Sequence, residues 1–133
     1  MALLAYIENE PGSNEVEGLL NRALDGEATL FVSIVSCVEV FYISWQEQGE
    51  EVAIERLELL DALPLSQEPL ARPLVKTVGE LKVKRTMSFA DCCIAGLAKL
   101  KQATLVHKDP EYEQVDNEIV LLQLPYKPKS KRK

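Results

Sequence analysis

Apolar positions along the chain change period several times. Leu3, Leu4 and Ile7 fall at helical spacing over residues 2–9, and EPGSN (10–14) then interrupts the pattern. Ser13 is a candidate N-cap for a second helix, in which Val16, Leu19, Leu20 and Leu24 repeat until Gly26. ATLFVSIV (28–35) is a short, β-branched apolar run and predicts a buried strand. A helix is expected from Ser36 to about Gln48, with Cys37, Val40, Phe41 and Trp45 facing inward and Gly49 ending it. Another follows over roughly 50–62, then a marginal strand at LPLS (63–66). Leu70, Leu74, Val78 and Leu81 mark a further helix whose Pro69 and Pro73 fit only its first turn. The strongly apolar MSFADCCIAGLAKL predicts a helix over 88–100. A strand ATLVH (103–107), a short helical turn after Pro110 and a last strand EIVLLQL (118–124) complete the order. Strands alternating with helices predict an α/β fold, a parallel sheet covered by helices on both faces.

A length of 133 residues, 47% hydrophobic and 27% charged, fits one ordinary globular domain over residues 1–126. The opening MALLAYI lacks a basic n-region and is too short to span a bilayer, so export and membrane insertion are not expected. Cys37, Cys92 and Cys93 make no disulfide framework and no C-x-x-C, which points to a reducing, cytoplasmic location. The net charge of −6 is uneven. The tail KPKSKRK (127–133) holds five of the fifteen basic residues, leaving ten against twenty-one acids elsewhere, a net of −11. The tail reads as a disordered, solubilising end, or else as a loose electrostatic hold on a polyanion. The acidic remainder repels nucleic acid unless a cation or a local basic patch intervenes.

Three carboxylates stand at element junctions. Ser88-x-x-Asp91 resembles a capping box, and an acid there suits the positive end of the helix dipole. Ser36-Cys37-Val38-Glu39 repeats the arrangement after the strand at 28–35. Asp109, between the strand at 103–107 and Pro110, looks like an N-cap with proline at N1. Each alone is a helix start. Together they suggest more, because strand-to-helix junctions of a parallel sheet share one edge, where ligands bind. Apolar neighbours hold the acids against the core, and like charges held there need protons or a cation. Oxygen-only ligands select a hard ion such as Mg²⁺ or Mn²⁺.

VSCVEV, MSFADCCIAGLAKL and ATLVHKDPEYEQV resemble the successive acidic motifs of PIN-domain proteins, especially VapC-type toxins of bacterial toxin–antitoxin pairs. ALLAYIENEPGSNEVEGLL is similar to that family's first helix, so the resemblance covers nearly the whole chain. It implies a three-layer α/β/α sandwich and an Mg²⁺- or Mn²⁺-dependent endoribonuclease that hydrolyses phosphodiester bonds with a metal-activated water. It also implies an RNA substrate, a cognate antitoxin partner and a homodimer. Glu39, Asp91 and Asp109 match the family's second, third and fourth acidic positions and carry over as catalytic metal ligands. Ser36 matches an accompanying polar position but is also a cap; Glu111 and Asp116 could assist the metal or be solvated surface acids. Lys84, Arg85 and Lys108 could meet an RNA backbone or simply be solvated.

One departure stands out. The family pattern opens with a hydrophobic strand ending in Asp, whereas this sequence opens MALLAY. Either that strand is encoded upstream of Met1, or this is a shortened form with weak or no activity. A catalytically impaired PIN-like binding module is therefore the second expectation. A receiver-like phospho-acceptor domain is disfavoured, because no central strand ends in a suitable Asp.

Overall fold

Short strands set between long helices define the architecture of the computed structural model, which describes residues 1–126. The basic tail at 127–133 lies outside the described residues. In chain order the elements are α1 (Ala2–Ile7), α2 (Ser13–Leu24), β1 (Phe31–Ser33), α3 (Ile34–Gln48), α4 (Glu50–Ala62) and β2 (Ser66–Glu68). These are followed by α5 (Leu74–Lys84), α6 (Phe89–Lys101), β3 (Leu105–His107), a 3-10 helix (Pro110–Val115) and β4 (Leu121–Gln123).

Local chemistry explains most boundaries and corrects some expectations. Ser88 caps α6, its hydroxyl accepting the Asp91 N–H at 3.1 Å. Asp109 caps the 3-10 helix, accepting the Glu111 N–H at 2.9 Å, with Pro110 following. Ser36 is not a cap. Helix α3 begins earlier, because the Ser33 hydroxyl accepts the Val35 N–H at 3.1 Å and draws the β-branched Ile34 and Val35 into the first turn. The strand expected at 28–35 thereby shrinks to Phe31–Ser33, and Ser36 is buried inside the helix. Nor does Ser13 cap α2. Gly12 holds that place at φ +100°, a conformation glycine adopts without penalty, and a Cβ there would sit 3.1 Å from that of Leu124.

The inward face of α3 also differs from expectation. Cys37 and Val40 are buried, but Trp45 is 45% exposed and Ser44 is buried in its stead. Ser44 turns inward because its Oγ accepts from Arg56 of α4 at 2.9 Å, while the same Arg56 nitrogen bonds Glu8 at 3.0 Å. Trp45 rests against Phe41 edge-on, with ring centroids 5.5 Å apart.

Both strand pairings are parallel. β1 pairs with β2 in the register Phe31↔Ser66 to Ser33↔Glu68, and β3 pairs with β4 in the register Leu105↔Leu121 to His107↔Gln123. Among the described residues the strands form two separate two-stranded sheets. Helix α3 packs on α4 and α5 on α6, and both α3 and α6 meet β1. One buried cluster joins Leu74, Val78 and Leu81 of α5 to Cys92, Cys93 and Ala95 of α6, reaching Leu105 and Tyr112. A second joins Val32, Cys37, Val40 and Leu60. Gly96 lets α5 and α6 approach closely, since a Cβ there would lie 2.7 Å from Val78 Cγ2. All three cysteines are free and buried, and burial pushes each thiol above its ordinary range, so they serve as small core residues. No described helix is long and apolar enough to cross a membrane.

Between β1 and β3 lies a cleft of about 1090 Å³. Its walls include residues 29–33 and 103–109, together with Glu39, Asp91 and Glu111.

Candidate metal centre

Each acid reaches the cleft from a different element. Glu39 projects from α3, Asp91 from the third position of α6, and Asp109 and Glu111 from the start of the 3-10 helix. One carboxylate oxygen from each of Asp91, Asp109 and Glu111 lies within 4.8 Å of the other two. Glu39 stands outside that set while lining the same cleft. Asp116, at the C-cap of the 3-10 helix, is exposed and is not part of the set.

The charges interact as close carboxylates must. Glu111 is pushed above the usual carboxylate range, first by its hydrogen bond to the Asp91 carboxyl and then by lost hydration. Glu39 is also raised, chiefly by burial and then by the charge of Asp91, with the chain amino terminus pulling it down. Asp91 is pinned by Tyr112, whose hydroxyl donates to Oδ1 at 2.8 Å. The Tyr112 phenol is driven far up, mainly by burial and then by Asp91. His107 is 2% exposed; its Nδ1 accepts the Asp109 N–H at 3.2 Å, and its ring lies 5.3 Å from that of Tyr112.

The cations singled out in the sequence are engaged within the protein. Lys84 pairs with Glu80 at 3.2 Å, and Arg85 pairs with Glu118. The Lys108 side chain is 3% exposed; its Nζ donates to the Pro11 carbonyl at 2.7 Å and lies 4.0 Å from Glu10.

Sequence reading missed the roles of Tyr112 and His107. For Tyr112 a signal existed: a 3-10 helix has three residues per turn, so Asp109 and Tyr112 eclipse one another. His107 carried no such sign, since a histidine at a strand end is equally at home in a polar loop.

Oxygen donors alone, from three carboxylates that would otherwise repel, suit a hard divalent cation and offer nothing to soft metals. The family model for the PIN domain matches residues 1–118. The chain belongs to the PIN-domain family.

Solved structures agree on the fold of this PIN domain. A chain in the crystal structure of VapBC2 from Rickettsia felis bound to a DNA fragment from their promoter superposes with a TM-score of 0.72 at 19% identity, covering 92% of both chains. A chain of DNA-bound VapBC from Salmonella typhimurium gives a TM-score of 0.61 at 16% identity, covering 70% of this chain and 74% of the other. A chain of a toxin–antitoxin complex from Klebsiella pneumoniae gives 0.54 at 12% identity, covering 77% and 80%. At these identities the likeness speaks for the fold alone. None of the curated protein sequences matches the chain.

Proposed function

We propose that this PIN domain is a metal-dependent endoribonuclease, the toxin of a type II toxin–antitoxin pair. The observation that carries the reading is the convergence of Asp91, Asp109 and Glu111 at the cleft rim. Asp91 and Asp109 would hold Mg²⁺ or Mn²⁺, with Glu111 as a third ligand and Glu39 lining the same cleft. A bound cation supplies Lewis acidity toward a phosphodiester and lowers the pKa of an attacking water. The chain's own residues prepare that site. Tyr112 fixes one oxygen of Asp91, Ser88 fixes the start of α6, and the Glu111 N–H fixes Asp109. Residues 1–126 act as one domain, RNA is the substrate, and the setting is cytoplasmic. An antitoxin partner accords with structural neighbours such as a toxin–antitoxin complex, and a homodimer is part of the same proposal.

The test is Mn²⁺ binding by calorimetry beside cleavage of a mixed RNA pool, with and without chelator. Mn²⁺-dependent cleavage that is lost in Asp91→Asn and Asp109→Asn supports the reading. Chelator-resistant cleavage, or full activity in either variant, overturns it. One observation favours a second reading: Glu39 stands outside the close carboxylate set. A PIN-like binding module with impaired catalysis would bind its partner or RNA tightly and leave the RNA intact.

A further inference from the structure

The five cations of KPKSKRK (127–133) follow directly on Tyr126, and the fold sets Tyr126 at the acidic rim. β3 and β4 run parallel, so their carboxyl ends share one edge. Asp109 lies two residues beyond β3 and Tyr126 three beyond β4. The Tyr126 hydroxyl donates to Glu113 Oε2 at 2.7 Å. Its ring lies 6.0 Å from that of His107, whose Nδ1 accepts the Asp109 N–H. The Tyr126 phenol is pushed up to about 12, first by lost hydration and then by Glu113 and Asp109. Tyr126 thus anchors the root of the tail beside the candidate metal ligands. Seven residues span at most about 25 Å, so every tail cation stays within that distance of the anchor.

The rest of the rim has little positive charge to offer a phosphate. Three cations line the cleft, and each is engaged: Arg22 with Glu27 at 3.9 Å, Lys101 with Glu68 at 3.1 Å, and Lys108 with the Pro11 carbonyl at 2.7 Å. Glu39, Asp91, Asp109 and Glu111 line the same cleft. Residues 1–126 hold ten basic groups against twenty-one acidic ones. An approaching polyanion is repelled by such a surface, and a run of five cations at the rim reverses the local sign.

Composition decides what the tail can hold. KPKSKRK has no aromatic residue on which a base could stack and no aliphatic residue to enter a lipid. Lysine and arginine bind phosphate, and phosphate contacts carry no sequence information.

We propose that the tail is a phosphate clamp: Lys127, Lys129, Lys131, Arg132 and Lys133 hold the backbone of single-stranded RNA at the rim formed by Asp91, Asp109 and Glu111, raising affinity without choosing sequence. The proposal takes its substrate from the nuclease reading, and its test reads binding apart from cleavage so that the two fail separately.

The test replaces all five cations in the full chain (K127Q/K129Q/K131Q/R132Q/K133Q). Fluorescence anisotropy then follows two labelled single-stranded RNAs of equal length and different sequence, in chelator, at about 50 to 200 mM salt. Counterion release gives a log–log slope of about −0.7 per contact on a single strand, so five contacts predict about −3.5, or roughly a hundredfold loss of affinity over that range. The variant should lose roughly threefold or less and bind both RNAs equally weakly. With Mn²⁺ it should need about tenfold more RNA than the native chain for half-maximal cleavage. An unchanged salt slope overturns the clamp whatever the cleavage shows. A slope lost as expected, with no Mn²⁺-dependent cleavage by the native chain, supports the clamp and overturns the nuclease reading alone. An effect on one RNA only overturns the sequence independence. Tighter RNA binding by the variant overturns the clamp and places the tail on the acids instead. Tail-dependent binding confined to duplex DNA or to phosphatidylserine vesicles overturns the assignment to RNA.

Discussion

Asp91→Asn is expected to move the metal-free and metal-bound stabilities in opposite directions. Asparagine keeps the Oδ1 that accepts from Tyr112 and leaves the Ser88 cap on the backbone untouched, so the chief change is loss of the charge, with an amide replacing one oxygen in the contact with Glu111. Asp91 has two carboxylate neighbours with oxygens within 4.8 Å, each repulsion worth about 0.9 kcal/mol at the dielectric of water and about 3.5 kcal/mol near 20. The water limit suits groups this close to solvent and gives about 2 kcal/mol of relief for the pair. Loss of a favourable acid in the first turn of α6 returns about 0.3–1 kcal/mol. The metal-free variant should therefore be more stable by about 1 kcal/mol, or about 4 °C in a domain of this size. Mn²⁺ at a hundred times its dissociation constant should stabilise the wild type by about 2.7 kcal/mol, or about 10 °C, and the variant by much less. Differential scanning calorimetry of both proteins with Mn²⁺ and with chelator reads both signs. A variant that keeps the full Mn²⁺ shift, or that is less stable than wild type without metal, refutes a shared cation held by Asp91.

Tyr112→Phe removes the hydroxyl that fixes Asp91 and should weaken Mn²⁺ binding about tenfold by calorimetry, with a loss of about 1–2 kcal/mol in stability; unchanged affinity would show that Tyr112 is packing alone. Gly96→Ala forces a Cβ against Val78 Cγ2 at 2.7 Å and should destabilise by about 1–3 kcal/mol in urea titration. Adding Val78→Ala should recover part of that loss; full additivity of the two changes would mean that they do not share this contact. Glu118, hydrogen-bonded to Lys99 at 2.7 Å and paired with Arg85, is held below the ordinary carboxylate value of 4.5. Its contribution is present above pH 4.5 and fades as pH falls through the lower folded-state value, so Glu118→Gln should flatten the acid limb of a stability–pH curve and lower stability at pH 7.

The residues themselves decided a good deal. The helices expected over 13–24, roughly 50–62 and 88–100 follow from helical spacing, apolar content and end signals that act within a few residues, and α2, α4 and α6 form there. The caps at Ser88 and Asp109 were legible for the same reason. Short-range rules failed where two local outcomes lie close in energy. Ile34 and Val35 suit a strand or a first helical turn equally, and the Ser33 cap settled it; Ser44 entered the core in place of Trp45 because Arg56, twelve residues away, offered a hydrogen bond.

What no stretch of sequence contains is distance between elements. The meeting of Asp91 with Glu111, the Tyr112 clasp on Asp91, the outlying place of Glu39 and the division of four parallel strands into two pairs all depend on how α3, α6 and the 3-10 helix pack. Sequence by itself determined which groups could bear charge and which segments could coil. Tertiary packing alone decided which charges face one another, because Coulomb and hydrogen-bond energies depend on separations that only the folded chain sets.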